Sequence, residues 1–403
     1  MDFSLKKIGP GLLFAGAAIG VSHLVQSTRA GADFGFGLIW ALLLVNLFKY
    51  PFFQFGPRYA SATGESLLDG YKKLGKPVLI AYFLLTFATM FTIQTAVTIV
   101  TAGIASSLFG NNFNIEVWTV IILAICLIIL LVGKFNLLDK LIKLIIVTLT
   151  ISTIASVGFA IANETKAISL QQILPETGIE IAFLIAFMGW MPAPLDISVW
   201  HSLWTLEKRK SSGELSPKSA LLDFNVGYIG TIVLGLLFVT LGALVMFNSG
   251  KTFSTSAAAF ANQLLDMYTE SLGKWAYIFI GIAAFTTMFS TTLTTLDASP
   301  RAMDKTTQLL AGNILKKGYL FWISVLTCGT IVIFFFFASE MGLLIKIATI
   351  LSFLTAPFYA IINYILISSK HTPEEWRPSI GLHILSILGI LFLVGFSIWY
   401  LMY

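Results

Sequence analysis

The sequence predicts an all-α integral membrane protein with eleven transmembrane helices, arranged as a five-plus-five inverted repeat in which helices 1 and 6 are discontinuous. Three observations predict this class: the composition, the recurrence of long apolar runs, and glycine and proline breaks in two of those runs. The 403-residue chain is 57% hydrophobic and only 11% charged, whereas a soluble domain carries about 25% charged residues. We therefore expect residues 1–403 to form a single domain that lies almost entirely within the lipid bilayer.

The individual helices are predicted from apolar runs of roughly 20 residues, the length that a helix needs to cross the hydrocarbon core. The first repeat is expected over 10–163, the second over 180–369, and an additional helix 11 over 379–402. The predicted spans are 10–32, 34–56, 78–104, 115–133, 139–163, 180–203, 221–247, 275–297, 318–338, 342–369 and 379–402.

The distribution of Lys and Arg predicts the orientation, because cytoplasmic loops carry an excess of both residues. With the N-terminus in the cytoplasm and the C-terminus outside, most of the 25 Lys and Arg residues lie at the cytoplasmic ends of the spans. The net charge of +5 is therefore interpreted as an orientation signal in a plasma-membrane protein, and no nucleic-acid partner is expected. The cations on the predicted outer side are Arg29, Lys166, Lys251 and Lys274.

Spans 1 and 6 contain residues that interrupt a helix. Gly16 and Gly20 lie in span 1, while span 6 contains Gly189, Pro192 and Pro194. Proline removes a hydrogen-bond donor and crowds the preceding turn. Interrupted helices at corresponding positions of two repeats indicate a substrate site between the breaks; the alternative is two proline or glycine kinks in packing helices.

The run from Gly9–Pro10 to Ala30–Gly31–Ala32 resembles the first helix of the Nramp family of proton-coupled divalent-metal transporters. The resemblance extends over most of the chain and implies the leucine-transporter fold, secondary transport by alternating access, no enzymatic activity and no cofactor. The further positions that carry it are Leu38, Trp40, Asn46, His201–Ser202, Asp223, Asn225 and Pro357–Phe358.

The metal ligands of that family are largely replaced. Its helix 1 holds the metal with an Asp and an Asn, where this chain has Gly20 and His23. The family's acidic position in helix 3 corresponds to Gln94. Its helix 6 carries a Met ligand, which aligns either with Pro194 or, with a small insertion, with Met191. The resemblance therefore leaves Asp196 and Met191 as the alternative ligands for a divalent ion.

A small anion fits the remaining residues better. The first turn of a half-helix presents free N–H groups and a positive dipole end, and His23 adds a donor beside the first break. Lys49 lies within span 2, where an ionisable residue marks a functional site or else extends its ammonium to the interface. Asp196 follows Pro194 and could cap the second half-helix or bind a cation. The predicted substrate-binding residues are Gly20, Val21, Ser22, His23, Met191, Pro192, Ala193, Pro194, Asp196, Lys49 and Gln94.

Span 8 suggests Na⁺ as the coupling ion, since its hydroxyl groups recur at helical spacing on one face. Sodium-coupled relatives of this fold hold the ion between such hydroxyls and the unwound part of helix 1. Hydrogen bonding between packed helices is the alternative role for these residues. The predicted Na⁺ ligands are Ala17, Gly20, Thr287, Ser290 and Thr291.

These observations favour a Na⁺-coupled transporter of a small anion such as bicarbonate, with no bound metal cofactor. The alternative is a divalent-metal transporter, for Mn²⁺, Mg²⁺ or Fe²⁺, with a reorganised site. A membrane enzyme or sensor is disfavoured because the sequence contains neither a nucleotide-binding loop nor a zinc-protease motif. The sequence does not indicate an oligomeric state.

Overall fold

The computed structural model describes residues 9–110, 113–132, 135–163, 169–212, 216–247, 253–254, 257–273, 276–337 and 340–402. Within these ranges the regular secondary structure is helical, as the sequence predicts. Of the four cations predicted on the outer side, Lys166, Lys251 and Lys274 lie outside the described residues.

The first half of the chain begins with a broken helix. A π-helical segment, Ser22–Ser27, separates its two parts, and a short helix that the sequence analysis did not predict, α4, follows α3. The helices are α1 (Pro10–Ala18), α2 (Thr28–Phe34), α3 (Ile39–Thr63), α4 (Leu67–Leu74), α5 (Lys76–Phe109), α6 (Ile115–Val132) and α7 (Phe135–Asn163).

The second half repeats this pattern of a broken helix followed by long ones. A further unpredicted helix, α11, precedes the long α12, and a 3₁₀ turn, Glu374–Trp376, precedes the last helix. The helices are α8 (Gly178–Trp190), α9 (Ile197–Ser212), α10 (Pro217–Val245), α11 (Ala257–Leu272), α12 (Ala276–Ala311), α13 (Gly318–Phe337), α14 (Met341–Ser368) and α15 (Ile380–Leu401).

Each predicted span coincides with a helix or with a broken pair of helices. Seven described helices are long and apolar enough to cross a membrane, and the pair Pro10–Ala18 and Ser22–Phe34 makes an eighth candidate. The count of eleven stays a prediction, as do the boundaries of the two repeats. Both helices predicted to be discontinuous are interrupted, near Gly20 and over Met191–Asp196.

The broken helices pack together. The α1–α2 pair contacts α10, and α9 contacts α3, while α5 and α12 form a second centre of packing with α6 and α13.

Asp223 of α10 anchors the start of α1, because its carboxylate accepts the backbone N–H of Gly9 at 3.2 Å and that of Gly11 at 2.7 Å. Capping of this kind satisfies N–H groups that a helix leaves unpaired, so Asp223 fixes the position of the first half-helix.

Candidate functional site

The first break lies between Ala18 and Ser22, and the chain bends there by 47°. The Ser22 hydroxyl donates to the Ala18 carbonyl, which lost its helical partner at the break. A Cβ atom at Gly20 would stand 2.7 Å from Thr291 Oγ1. A glycine at this position therefore lets the unwound segment approach α12.

The second break, Met191–Asp196, receives Lys49 from α3. The Lys49 side chain is fully buried, and its ammonium donates to four backbone carbonyls. The acceptors are Met188 at 2.7 Å, Gly189 at 2.7 Å, Met191 at 3.1 Å and Ala193 at 3.2 Å. Lys49 thus does not extend to the interface, which was one of its two predicted roles.

This position is favourable for a buried cation. The last carbonyls of a helix lack intrahelical partners and form the negative end of its dipole. Lys49 supplies donors to the end of α8 and to two carbonyls of the unwound segment beyond it. Asp196 is also buried at the far end of the same unwound segment, so the break contains a lysine and a carboxyl group in one buried setting.

Asp196 is 5% exposed and immediately precedes Ile197, the first residue of α9. Its Oδ1 atom has no hydrogen-bond partner among the described residues. This is the position predicted for a capping residue, but the backbone N–H of Ile197 bonds to the Pro194 carbonyl at 3.2 Å. The unpaired oxygen leaves capacity for a donor or a cation.

A small cavity lies between the two breaks. Its lining includes Ala17, Val21 and Ser22 from the first break and Trp190 and Pro194 from the second. Its volume of about 20 Å³ exceeds the roughly 10–15 Å³ that one water molecule needs. The two breaks therefore meet, as predicted, around a space closed to anything much larger than water in this conformation.

The predicted Na⁺ ligands converge on this cavity in part. Thr291 Oγ1 lies 3.2 Å from the Gly16 carbonyl oxygen, 3.3 Å from that of Ile19 and 3.2 Å from that of Thr287. One hydroxyl has a single proton to donate, so these four neutral oxygens exceed what that proton can satisfy. Such an arrangement suits a monovalent cation.

The span-1 carbonyls that approach Thr291 belong to residues one position earlier in the chain than the predicted ones. Gly16 and Ile19 approach it, where Ala17 and Gly20 were predicted. The hydroxyl of Thr287 is committed to the Ala283 carbonyl at 2.7 Å, whereas Ser290 Oγ is buried and has no partner among the described residues.

His23 points away from the cavity lining. Its Nε2 atom lies 2.9 Å from the Thr231 carbonyl of α10, and its Nδ1 atom lies 2.6 Å from Ser22 Oγ. Because a carbonyl only accepts, Nε2 carries the proton, and Nδ1 is an acceptor that competes with the Ala18 carbonyl for the single Ser22 proton. Both ring nitrogens are therefore engaged by the protein.

Gln94 and Met191 also make internal contacts. Gln94 Oε1 accepts from Thr295 at 2.7 Å, and its Nε2 donates to the Thr292 carbonyl at 3.3 Å, which ties α5 to α12. The Met191 sulfur would lie 3.4 Å from a Cβ placed on Gly235 of α10. Pro192 and Ala193 lie within the unwound segment that joins α8 to α9.

The sequence matches the family described as natural resistance-associated macrophage protein-like (Nramp) over residues 11–403. A protein of Pasteurella multocida, itself uncharacterised, is 36% identical over 405 residues, which cover 98% of this chain and 91% of that protein. The resemblance inferred from the motifs is thereby confirmed.

Two solved structures illustrate the similarity in fold. The manganese transporter of Eremococcus coleocola superposes with a TM-score of 0.76 at 13% identity, covering 96% of this chain and 84% of that one. The transporter MhsT, solved with L-phenylalanine, superposes with a TM-score of 0.66 at 16% identity, covering 98% and 99% of the two chains. At these identities the comparison establishes the leucine-transporter fold, as predicted.

Proposed function

We propose, from the premise that this chain belongs to the Nramp family of membrane transporters, that it carries a small anion such as bicarbonate, coupled to Na⁺, by alternating access. Membership of the family makes the chain a transporter and not an enzyme. The identity of the small ion, the coupling to Na⁺ and the plasma-membrane location with a cytoplasmic N-terminus are parts of the proposal.

The observation that carries the proposal is the Lys49 ammonium in the second break. Its N–H groups donate to the carbonyl oxygens of Met191 and Ala193. These oxygens would otherwise be available to bind an incoming cation. A divalent ion about 8 Å from that ammonium would be repelled by about 4 kcal/mol at an effective dielectric constant of 20. Asp196 can at most neutralise Lys49, so the pair leaves no net negative charge for a divalent cation.

An anion gains from the same arrangement. The half-helix that starts at Val21 has its first turn at the break, and the free N–H groups of a first turn bind anions. Bicarbonate is small, planar and able both to donate and to accept hydrogen bonds, which suits a site composed of backbone groups and single hydroxyls. The three carbonyl oxygens around the Thr291 hydroxyl support Na⁺ as the coupling ion, since Na⁺ is held by unwound carbonyls in this type of fold.

The experiment that tests the proposal is uptake into proteoliposomes that contain the purified protein. Radiolabelled bicarbonate is supplied at alkaline pH, where dissolved CO₂ is a minor species, with an inward gradient of either Na⁺ or choline. We expect saturable uptake that requires Na⁺. Saturable uptake that is equal in choline would contradict the coupling, and absence of uptake from a folded sample would contradict the anion.

Transport of a divalent metal is the second candidate, and one observation favours it: Asp196 Oδ1 is buried and unpaired among the described residues. The E. coleocola protein that shares this fold is a manganese transporter. Here Asp196 and Met191 would bind the ion in another conformation, since the Met191 side chain packs toward α10. Mn²⁺ uptake, read by a metal-sensing dye inside the same vesicles, tests this candidate. Robust uptake that Asp196→Ala removes would replace the anion proposal.

A further inference from the structure

We infer that a second anion site lies in a vestibule at the predicted outer end, where Arg29 and Gln26 hold bicarbonate before it reaches the central cavity. The inference rests on the proposed transport of a small anion and deepens it, because it names where that anion first binds. The vestibule is defined by six of its lining residues, which come from the helix after the first break, from α8 and from α14: Gln26, Arg29, Asp33, Glu180, Phe183 and Lys346.

The vestibule is much larger than the cavity between the breaks. Its volume is about 290 Å³, compared with about 20 Å³ for the cavity between the breaks. It therefore has room for a hydrated small anion in the conformation in which the central cavity has none. Arg29 lies nine positions after Gly20, a rise of at most roughly 13 Å, so the same broken helix joins the two sites.

Two of the residues that line this vestibule each carry a polar atom with unfulfilled hydrogen-bonding capacity. Gln26 is 2% exposed, and its Oε1, an acceptor, has no partner among the described residues. The Nε atom of Arg29, a donor, is likewise buried and unpaired. A buried polar atom without a partner is destabilising, so the two together indicate a ligand that offers both an acceptor and a donor.

Bicarbonate has that combination, with two carboxylate-like oxygens that accept and one O–H group that donates. The planar guanidinium of Arg29 matches a planar oxyanion, and the Gln26 carbonyl oxygen can accept the bicarbonate O–H. Chloride lacks a donor and therefore satisfies only Arg29. The guanidinium is also positioned 5.7 Å over the Phe183 ring, a contact that restricts its motion without using its N–H groups.

The charges around the vestibule permit an anion. Lys346 adds a second cation at the rim, where its side chain is exposed. Of the two acids, Glu180 is committed to the start of α8, because its carboxylate accepts the backbone N–H groups of Glu176 at 3.3 Å and Thr177 at 3.2 Å. Asp33 is exposed and lies one helical turn beyond Arg29. Its carboxylate therefore offsets part of the Arg29 charge from the solvent side.

Protection of an introduced cysteine tests binding without transport. Ile179→Cys places a thiol on a vestibule residue that is 80% exposed, and Ile380→Cys is a matched control, also 80% exposed at the start of a helix. Both variants also carry Cys328→Ser, because Cys328 is the exposed native thiol among the described cysteines and would otherwise be labelled. Labelling by an uncharged maleimide is timed in detergent with bicarbonate, or with chloride at the same pH and ionic strength.

We expect bicarbonate to slow labelling at position 179 at least threefold, with little effect from chloride and none at position 380. Arg29→Gln should abolish this protection, while Lys346→Gln, which removes the rim cation, should retain most of it. Protection that persists in Arg29→Gln, or that chloride gives equally, would overturn the vestibule site.

Transport kinetics separate failure of this inference from failure of the proposed function. In proteoliposomes, Arg29→Gln should raise the KM for bicarbonate about tenfold and leave the maximal rate within twofold of the unmodified protein. Unchanged KM with normal Na⁺-driven uptake would overturn the vestibule while leaving the transport proposal intact. Protection at position 179 without any bicarbonate uptake would instead support the binding site and contradict the transport function.

Discussion

Lys49 Nζ lies 2.7 Å from the carbonyl oxygen of Gly189, a residue 140 positions later in the chain. The bond joins the middle of α3 to the end of α8 and introduces a buried positive charge into the second break. The two properties of the proposed site, its geometry and its charge, therefore depend on the same side chain.

Replacing Lys49 with Met keeps the apolar stem and removes the ammonium. Four buried carbonyls then lose their donor, and we expect the free energy of unfolding to fall by about 3 kcal/mol. Chemical unfolding in detergent, followed by tryptophan fluorescence, measures the change. Lys76→Met, on an exposed residue at the start of α5, is the matched control. Equal stability of the two variants would mean that the four bonds contribute nothing.

Thr291→Val keeps the volume of the side chain and removes the oxygen that faces Gly16 and Ile19. We expect the Na⁺ concentration for half-maximal bicarbonate uptake to rise about tenfold, which corresponds to about 1.4 kcal/mol. Uptake measured over a Na⁺ series gives this value. Thr286→Val is the control, because the Thr286 hydroxyl bonds only carbonyls of its own helix, those of Ile282 and Ala283. If both variants kept the original Na⁺ dependence, Thr291 would be a packing residue.

His23 links α10 to the helix that follows the first break, and the test of its role is a comparison of two substitutions. His23→Ala leaves the Thr231 carbonyl without its donor and should destabilise the protein by about 1–3 kcal/mol. His23→Gln offers an amide donor at similar reach, so we expect it to restore stability and most bicarbonate uptake. Restored stability with uptake still lost would show that the imidazole itself contacts the substrate, as the sequence analysis proposed.

Asp69 at the start of α4 predicts a pH dependence of stability. Its carboxylate accepts from Ser66 and pairs with Lys305 of α12 at 2.8 Å. Partial burial favours a raised pKa, but the bonds to Lys305 and Ser66 outweigh it and hold the pKa of Asp69 below its usual value. The stabilisation is therefore complete above the unfolded-state pKa, about 3.9, and is lost as pH falls through the lower folded-state pKa.

Asp69→Asn should accordingly cost about 1 kcal/mol at neutral pH, and the difference from the unmodified protein should shrink in acid. Unfolding measured across a pH series checks both points. Glu374→Gln, in an exposed pair with Arg377, is the control and should change little. A deficit for Asp69→Asn that stays constant into acid would assign the effect to the helix cap alone.

The helical class, the approximate position of each long helix and the two breaks are predictable from the amino-acid sequence alone. These features follow from local properties: apolar length, the missing donor of proline and the conformational freedom of glycine. The shared face of hydroxyls on α12 was predictable for the same reason, since helical spacing alone places Thr287, Ser290 and Thr291 on one side.

The partners that these residues contact depend instead on how the helices pack. Lys49 was ambiguous in sequence because its acceptors are backbone carbonyls, which every residue possesses and no pattern marks. The carbonyls beside Thr291 belong to Gly16 and Ile19 because the bend sets the register of the unwound segment. Arg29 and Gln26 acquire a common vestibule only when α8 and α14 pack against their helix. Contacts between distant segments depend on how helices cross, and that geometry is a property of the assembled bundle.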